Sequence, residues 1–128
     1  MKILDTTFLI DVICGKKETE ALMNSDDALL TTQINMYEIL EGFFLKKITQ
    51  QKYLDIIELF ENIRVLQLDD SAIIQAAKLS ASLTKEGETI ADCDCLIAGI
   101  ALSKGITIIV TRNGKDFEKI KGVEVETY

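Results

Sequence analysis

Four carboxylates stand where an acid-based active site would need them: Asp5, Glu38, Asp94 and Asp116. Asp5 ends a short apolar run, residues 2–5, that reads as a strand, and Asp-Thr-Thr is also good helix N-cap chemistry. Glu38 falls in a helical pattern on a stripe with Ile34, Tyr37, Gly42 and Leu45. It therefore interrupts what reads as a core-facing surface, where an isolated charge is costly. Asp94 shares a stripe with Ile97, Ala98 and Ala101 at the start of a segment that is apolar nearly all round, the pattern of a buried helix. Asp92, two residues earlier, points about 200° away around such a helix and reads as an ordinary N-terminal acid. Asp116 follows a β-branched strand, in the turn Thr111-Arg112-Asn113-Gly114-Lys115-Asp116.

Each acid alone has a plain structural reading as a cap, a boundary residue or a loop acid. Together they come from separate segments, at strand ends or on inward stripes. If they converge at about 5–6 Å, each like-charge pair costs about 3 kcal/mol at an effective dielectric of ~20. Over all pairs that is roughly 18 kcal/mol, more than the ~5–15 kcal/mol stability of a domain. Such a group must take up protons or bind cations. Oxygen ligands alone fit Mg²⁺ or Mn²⁺, one ion or two. An all-carboxylate site of that kind suits phosphoryl transfer, with the metal lowering the pKa of the attacking water and offsetting charge on the phosphate.

The composition narrows the alternatives. The 128 residues contain no histidine, which removes Ser-His-Asp and Cys-His systems and imidazole-based zinc sites. Cys14, Cys93 and Cys95 form no CxxC pair, and the odd count fits reduced thiols in a cytoplasm. No apolar run approaches the ~20 residues of a membrane helix. With 48% hydrophobic residues, the chain is expected to fold as one domain over residues 1–128. Its net charge of −7 argues against a polyanionic partner unless the acids are gathered around cations, which reverse their sign.

The elements that must position these acids alternate along the chain. Strands are expected at 2–5, 28–31, 64–68, 107–111 and 123–127. Helices are expected at 7–13, 18–23, 33–46, around 53–60, at 71–85 behind Asp69-Asp70, and at 92–102, with a helical turn near Phe117. This alternation predicts a three-layer α/β/α domain with a central, mostly parallel sheet. Ligands of such sheets bind beyond the carboxyl ends of the strands, where strand order reverses.

The sequence resembles the PIN-domain ribonucleases, and among them the VapC-type toxins. The resemblance is carried by Leu4-Asp5-Thr6-Thr7-Phe8-Leu9-Ile10-Asp11 and by Tyr37-Glu38 with Gly42. It continues through Asp94-Cys95-Leu96-Ile97-Ala98 and Val110-Thr111-Arg112-Asn113, running into Asp116-Phe117. It implies a Mg²⁺- or Mn²⁺-dependent endoribonuclease with Asp5, Glu38, Asp94 and Asp116 as catalytic and metal-holding acids. Thr6 would line the site, and Thr111 and Asn113 would hold the substrate phosphate or a water on the metal. The resemblance also implies a homodimer and a small antitoxin partner. That partner would lay an apolar segment in a groove, expected on the early helices and the Phe43-Phe44 to Phe60 pair, and reach the acids with a basic side chain.

Three other readings remain to be separated from this one. A haloacid-dehalogenase-like phosphatase needs a second Asp two residues after the first, where this chain has Thr7. A phosphorelay receiver needs an acid pair at the first strand, which supplies one acid here. A catalytically weak PIN-like module that binds RNA or protein would keep the fold and lack hydrolysis.

Overall fold

The computed structural model describes all 128 residues. The chain runs β1 (Lys2–Leu4), α1 (Thr6–Ile13), a 3₁₀ turn at Lys17–Thr19 leading into α2 (Glu20–Met23), and β2 (Leu29–Thr32). It continues with α3 (Gln33–Leu45), α4 (Gln50–Asn62), β3 (Arg64–Leu66), α5 (Asp70–Lys85) and α6 (Asp92–Ser103). β4 (Ile108–Val110), a 3₁₀ turn at Phe117–Lys119 and β5 (Glu124–Glu126) complete it. Each strand and helix expected from the sequence is present, with ends shifted by a few residues. The segment expected as one helix at 18–23 begins as the 3₁₀ turn.

The strands form one sheet in the order β3-β2-β1-β4-β5, and every neighbouring pair is parallel. Alternation along the strands splits the core into two layers. Ile3 and Ile109 face a cluster built mainly from α5 and α6, with Ala72, Ile97, Ile100 and Ala101. Leu4 and Val110, the next residue of each strand, face the opposite cluster with Phe8, Leu9, Ile39, Ile56 and Phe60. The architecture is therefore the expected α/β/α sandwich, with an entirely parallel sheet.

The connections from β1 through β2 to β3 step one way across the sheet. β4 then returns to the other side of β1, so the order reverses between β1 and β4. Asp5 and Thr111 are the first residues beyond these two strands, which places both at the ligand-binding position of an open parallel sheet.

The helix that carries Glu38 differs from expectation. Its buried positions are Asn35 and Ile39, while Tyr37 is 59% and Leu45 80% exposed. The Ile34–Tyr37–Leu45 stripe is therefore not the core face, and Glu38 lies at a boundary rather than inside an apolar surface. Sequence periodicity was ambiguous here because apolar residues surround much of α3, leaving the facing to tertiary packing. α6 behaves as its sequence suggests, with residues 97–101 all buried. It lies close against α5: a Cβ built on Gly99 would stand 2.7 Å from the Ala72 carbonyl oxygen and 2.7 Å from the Ala76 Cβ.

Candidate active site

Asp5 occupies the N-cap position of α1, yet its side chain makes no capping hydrogen bond. Its buried carboxylate is turned to other partners. Thr111 Oγ1 donates to Asp5 Oδ2 at 2.8 Å, and Asn35 Nδ2 donates to Asp5 Oδ1 at 3.0 Å. Burial pushes the Asp5 pKa up, while these hydrogen bonds favour the anion and pull against the shift.

The hydroxyl protons around Asp5 have a determined direction. Thr111 spends its one proton on Asp5, so at its 3.1 Å contact with Thr7 Oγ1 the proton comes from Thr7. Thr7 Oγ1 in turn accepts from the Arg112 main-chain N–H at 3.0 Å, and Thr111 Oγ1 accepts from that of Asn113 at 3.1 Å. On the other side, Asn35 Nδ2 also donates to Thr6 Oγ1 at 3.0 Å, and Thr6 donates to Glu38 Oε1 at 2.8 Å. Asn35 Oδ1 accepts from Thr32 Oγ1 at 2.7 Å. Asp5 and Glu38 thus act as acceptors at the two ends of a network that leaves no buried side-chain polar atom unpaired.

Asp94 is half-buried at the N-terminus of α6, and its pKa is pushed up to about 6. Burial is the main cause, followed by the negative charges of Asp5, Glu38 and Asp116. Burial likewise raises Glu38, against the Thr6 hydrogen bond and with the charges of Asp5 and Glu41 adding to the rise. The charges of Asp5, Glu38 and Asp116 thus reach Asp94 across one acidic region. Asp116 stands at its margin, 3.6 Å from Lys119. Asp92 is exposed and does not enter this set. Asn113 is exposed and joins the network through its main chain.

The acids surround this region without clenching: no three of them are grouped closely enough to hold an ion between them as they stand. The hydrogen bonds above account for the looser arrangement, because Asp5 is turned toward Asn35 and Thr111, and Glu38 toward Thr6. The donor set still fits a hard divalent cation. It offers only oxygens, and three neighbouring anions raise the proton affinity of Asp94, as they would raise the attraction of any cation.

Two residues at the centre of the site were not singled out by sequence reasoning. Asn35 has no solvent exposure, and Thr7 links Thr111 to Arg112. An amide at the inward position of a helix was the available signal for Asn35, and it was hidden once the inward face of α3 had been misjudged. Beside Glu38 an apolar groove of about 190 Å³ opens between α1, α3 and α4, lined by Ile10, Ile13, Gly42, Phe43 and Ile48 among others. This matches the groove expected on the early helices, with one correction. Phe60 is buried in the core and Phe44 lies on the outer surface, so of the three aromatics only Phe43 lines the groove.

Comparison with known proteins agrees with this fold. The pattern of the PIN domain matches residues 2–123, and the chain belongs to the PIN-domain family. The tRNA(fMet)-specific endonuclease VapC of Salmonella typhimurium is 30% identical over 128 residues, spanning 98% of this chain and 96% of that protein. The DNA-bound VapBC complex from Salmonella typhimurium contains a chain that superposes with a TM-score of 0.86 at 26% identity, covering 98% and 96% of the two chains. VapBC2 from Rickettsia felis, bound to a DNA fragment from its promoter, gives a TM-score of 0.89 at 19% identity over 99% and 98%. The likeness to VapC toxins thus runs the length of the chain.

Proposed function

We propose that this protein is a metal-dependent endoribonuclease of the VapC type, the toxin of a toxin–antitoxin pair, hydrolysing RNA phosphodiester bonds with Mg²⁺ or Mn²⁺. The observation that carries the reading is the set of four acids near the sheet's switch point, with Asp94 raised to about 6 by burial and, after it, by the charges of Asp5, Glu38 and Asp116. Transfer RNA is the first substrate to test, because the Salmonella relative is named for it.

Asp5, Glu38, Asp94 and Asp116 would hold the ion or ions, which when bound supply Lewis acidity and charge neutralisation at the phosphate. The chain's own residues do the rest. Thr111 and Asn35 hold Asp5 as an anion with fixed orientation, and Thr6 fixes Glu38. Asp94 must lose its proton to contribute charge, so protons would compete with the ion at this residue as pH falls. Thr6 and Asn113 would meet the substrate phosphate or a water, whereas Thr111, fully buried with its hydroxyl proton on Asp5, would act through that carboxylate. With no histidine in the chain, proton transfer falls to carboxylates and water.

The antitoxin is proposed to occupy the groove between α1, α3 and α4. Glu38 both lines that groove and belongs to the acidic site, so an apolar segment seated there would bring a basic side chain within reach of the carboxylates. A second copy of the chain is proposed as a further partner, using apolar residues left on the surface of α3 such as Phe44 and Leu45.

Cleavage of RNA by purified protein with Mn²⁺ or Mg²⁺, compared with EDTA and with Asp5→Asn, tests the reading. Metal-dependent cleavage that Asp5→Asn abolishes supports it. Equal cleavage in every arm, or none in any, would overturn it. Size-exclusion chromatography measures the dimer.

A further inference from the structure

On the far side of α1 from the groove lies a buried acid that the proposed chemistry does not use. Asp11 is 3% exposed, and a carboxylate so buried is costly unless it is paired or hydrogen-bonded. It is paired with Arg112, whose Nη1 lies 3.0 Å from Asp11 Oδ1 and 3.1 Å from Oδ2. Tyr128 donates its hydroxyl to Asp11 Oδ2, and its ring meets Phe8 edge-on at 4.7 Å. Lys16 lies farther out, 3.7 Å from Oδ1.

Arg112 is the residue between Thr111 and Asn113, and α1 grips it twice. Its main-chain N–H donates to Thr7 Oγ1, and its side chain pairs with Asp11. Thr7 and Asp11 are four residues apart and so lie one above the other on the same helix face. Two attachments about one helical turn apart fix both the position and the rotation of the turn that follows β4. The Thr111 main-chain N–H is held as well, donating to the Glu126 carbonyl at 3.0 Å.

We infer that the Asp11–Arg112 pair, closed by Tyr128, is a positioning device that orients the Thr111–Asn113 turn and, through the Thr111 hydroxyl, the Asp5 carboxylate. The inference rests on the proposed active site for its importance to catalysis, but not for its structural content. Arg112 acts here through Thr111 and need not touch the reacting groups. A pair serving stability alone would not need its arginine next to the threonine that donates to Asp5, nor a second tie from the same residue to Thr7.

The test is amide hydrogen exchange on the full chain, measured without RNA or added metal, on Asp11→Asn, Arg112→Gln and the double variant. Expected is about tenfold faster exchange at Arg112 and Asn113, with the amides of β1 and β4 unchanged. In RNA cleavage, each single variant is expected to lower kcat by about ten- to a hundredfold with KM within about twofold. The double variant should lose no more than either single one. Tyr128→Phe removes one hydroxyl and leaves the ion pair, so it serves if Asp11→Asn fails to fold; a smaller rise in exchange at the same two amides is expected. Unchanged exchange at Arg112 and Asn113, or a rise spread evenly over the sheet, overturns the inference. A wild-type chain that cleaves no RNA would defeat the proposed function and leave the exchange result to decide this inference by itself.

Discussion

Asn35 holds Asp5 from the side opposite Thr111, its Nδ2 3.0 Å from Asp5 Oδ1 while its own Oδ1 accepts from Thr32. The amide is fully buried and serves three partners across two elements. Truncation would leave Asp5 Oδ1 without its donor and the buried Thr32 hydroxyl proton without its acceptor. Asn35→Ala is therefore expected to destabilise the protein by about 1–3 kcal/mol in urea unfolding. Nuclease activity should fall further than stability explains when assayed well below the unfolding midpoint. A variant as stable and active as the parent would show that the bond does not orient Asp5.

Asp94 makes a prediction with a defined sign. Its pKa rises from the ordinary 3.8 to about 6 in the folded chain. The folded state therefore favours the protonated form, and this contribution is present below about pH 4 and lost as pH rises through about 6. Without divalent ions, Asp94→Asn should be more stable than the parent at pH 7.5. After discounting for its partial exposure the gain is about 1 kcal/mol. The gap should close on acidification to pH 4, as followed by thermal melts across the range.

Adding Mn²⁺ reverses the balance at the same residue. A ligand that binds only the folded state stabilises it by about 2.7 kcal/mol at a hundred times its Kd. The melting temperature of the parent should therefore rise with Mn²⁺ at pH 7.5 and rise less at pH 5, where protons compete for Asp94. Asp5→Asn and Asp94→Asn should each shrink the rise. An equal rise in all three proteins would place the ion elsewhere.

Gly99 tests the packing that sets the start of α6. With backbone and side chain of α5 both 2.7 Å from the place a Cβ would take, Gly99→Ala forces the helices apart. A cost of about 1–3 kcal/mol is expected in denaturant unfolding, overriding the usual helix preference for alanine. Gly42, on α3, meets nothing within 4 Å, so Gly42→Ala should instead match or exceed the parent in stability.

The contrast between those glycines bears on how much of this protein could be read beforehand. Elements whose apolar pattern matched one layer were legible: the β-branched run near Ile109, the apolar helix after Asp94, and the alternation that implies a parallel sheet. The positions of Asp5, Asp94 and Asp116 beyond a strand or at a helix start were legible, whereas Glu38 was singled out by a stripe that does not face the core. The facing of α3 was not legible, since Tyr37, Phe44 and Leu45 are apolar in type yet exposed, and hydrophobicity alone does not tell a core face from a surface face. Of the partners of the acids, Thr6 and Thr111 were named by the resemblance, while Asn35 and the Asp11–Arg112 pair were out of reach. Asp11 and Arg112 are 101 positions apart, and only the return of β4 beside β1 brings them together.

That return also orders events in time. Thr111 and Asp5 are separated by 106 positions, and β4 follows β1, β2 and β3 in the chain. Until it docks beside β1, Asp5 lacks the hydroxyl that orients it and Asp94 lacks Asp116 as a neighbour. Such distant pairing forms slowly compared with local contacts. A nascent or broken chain ending before Val110 would carry three of the four acids, with Asn35 and Thr6 beside them but without Thr111 or Asp116, so assembly of the site waits until β4 and the turn after it have been made.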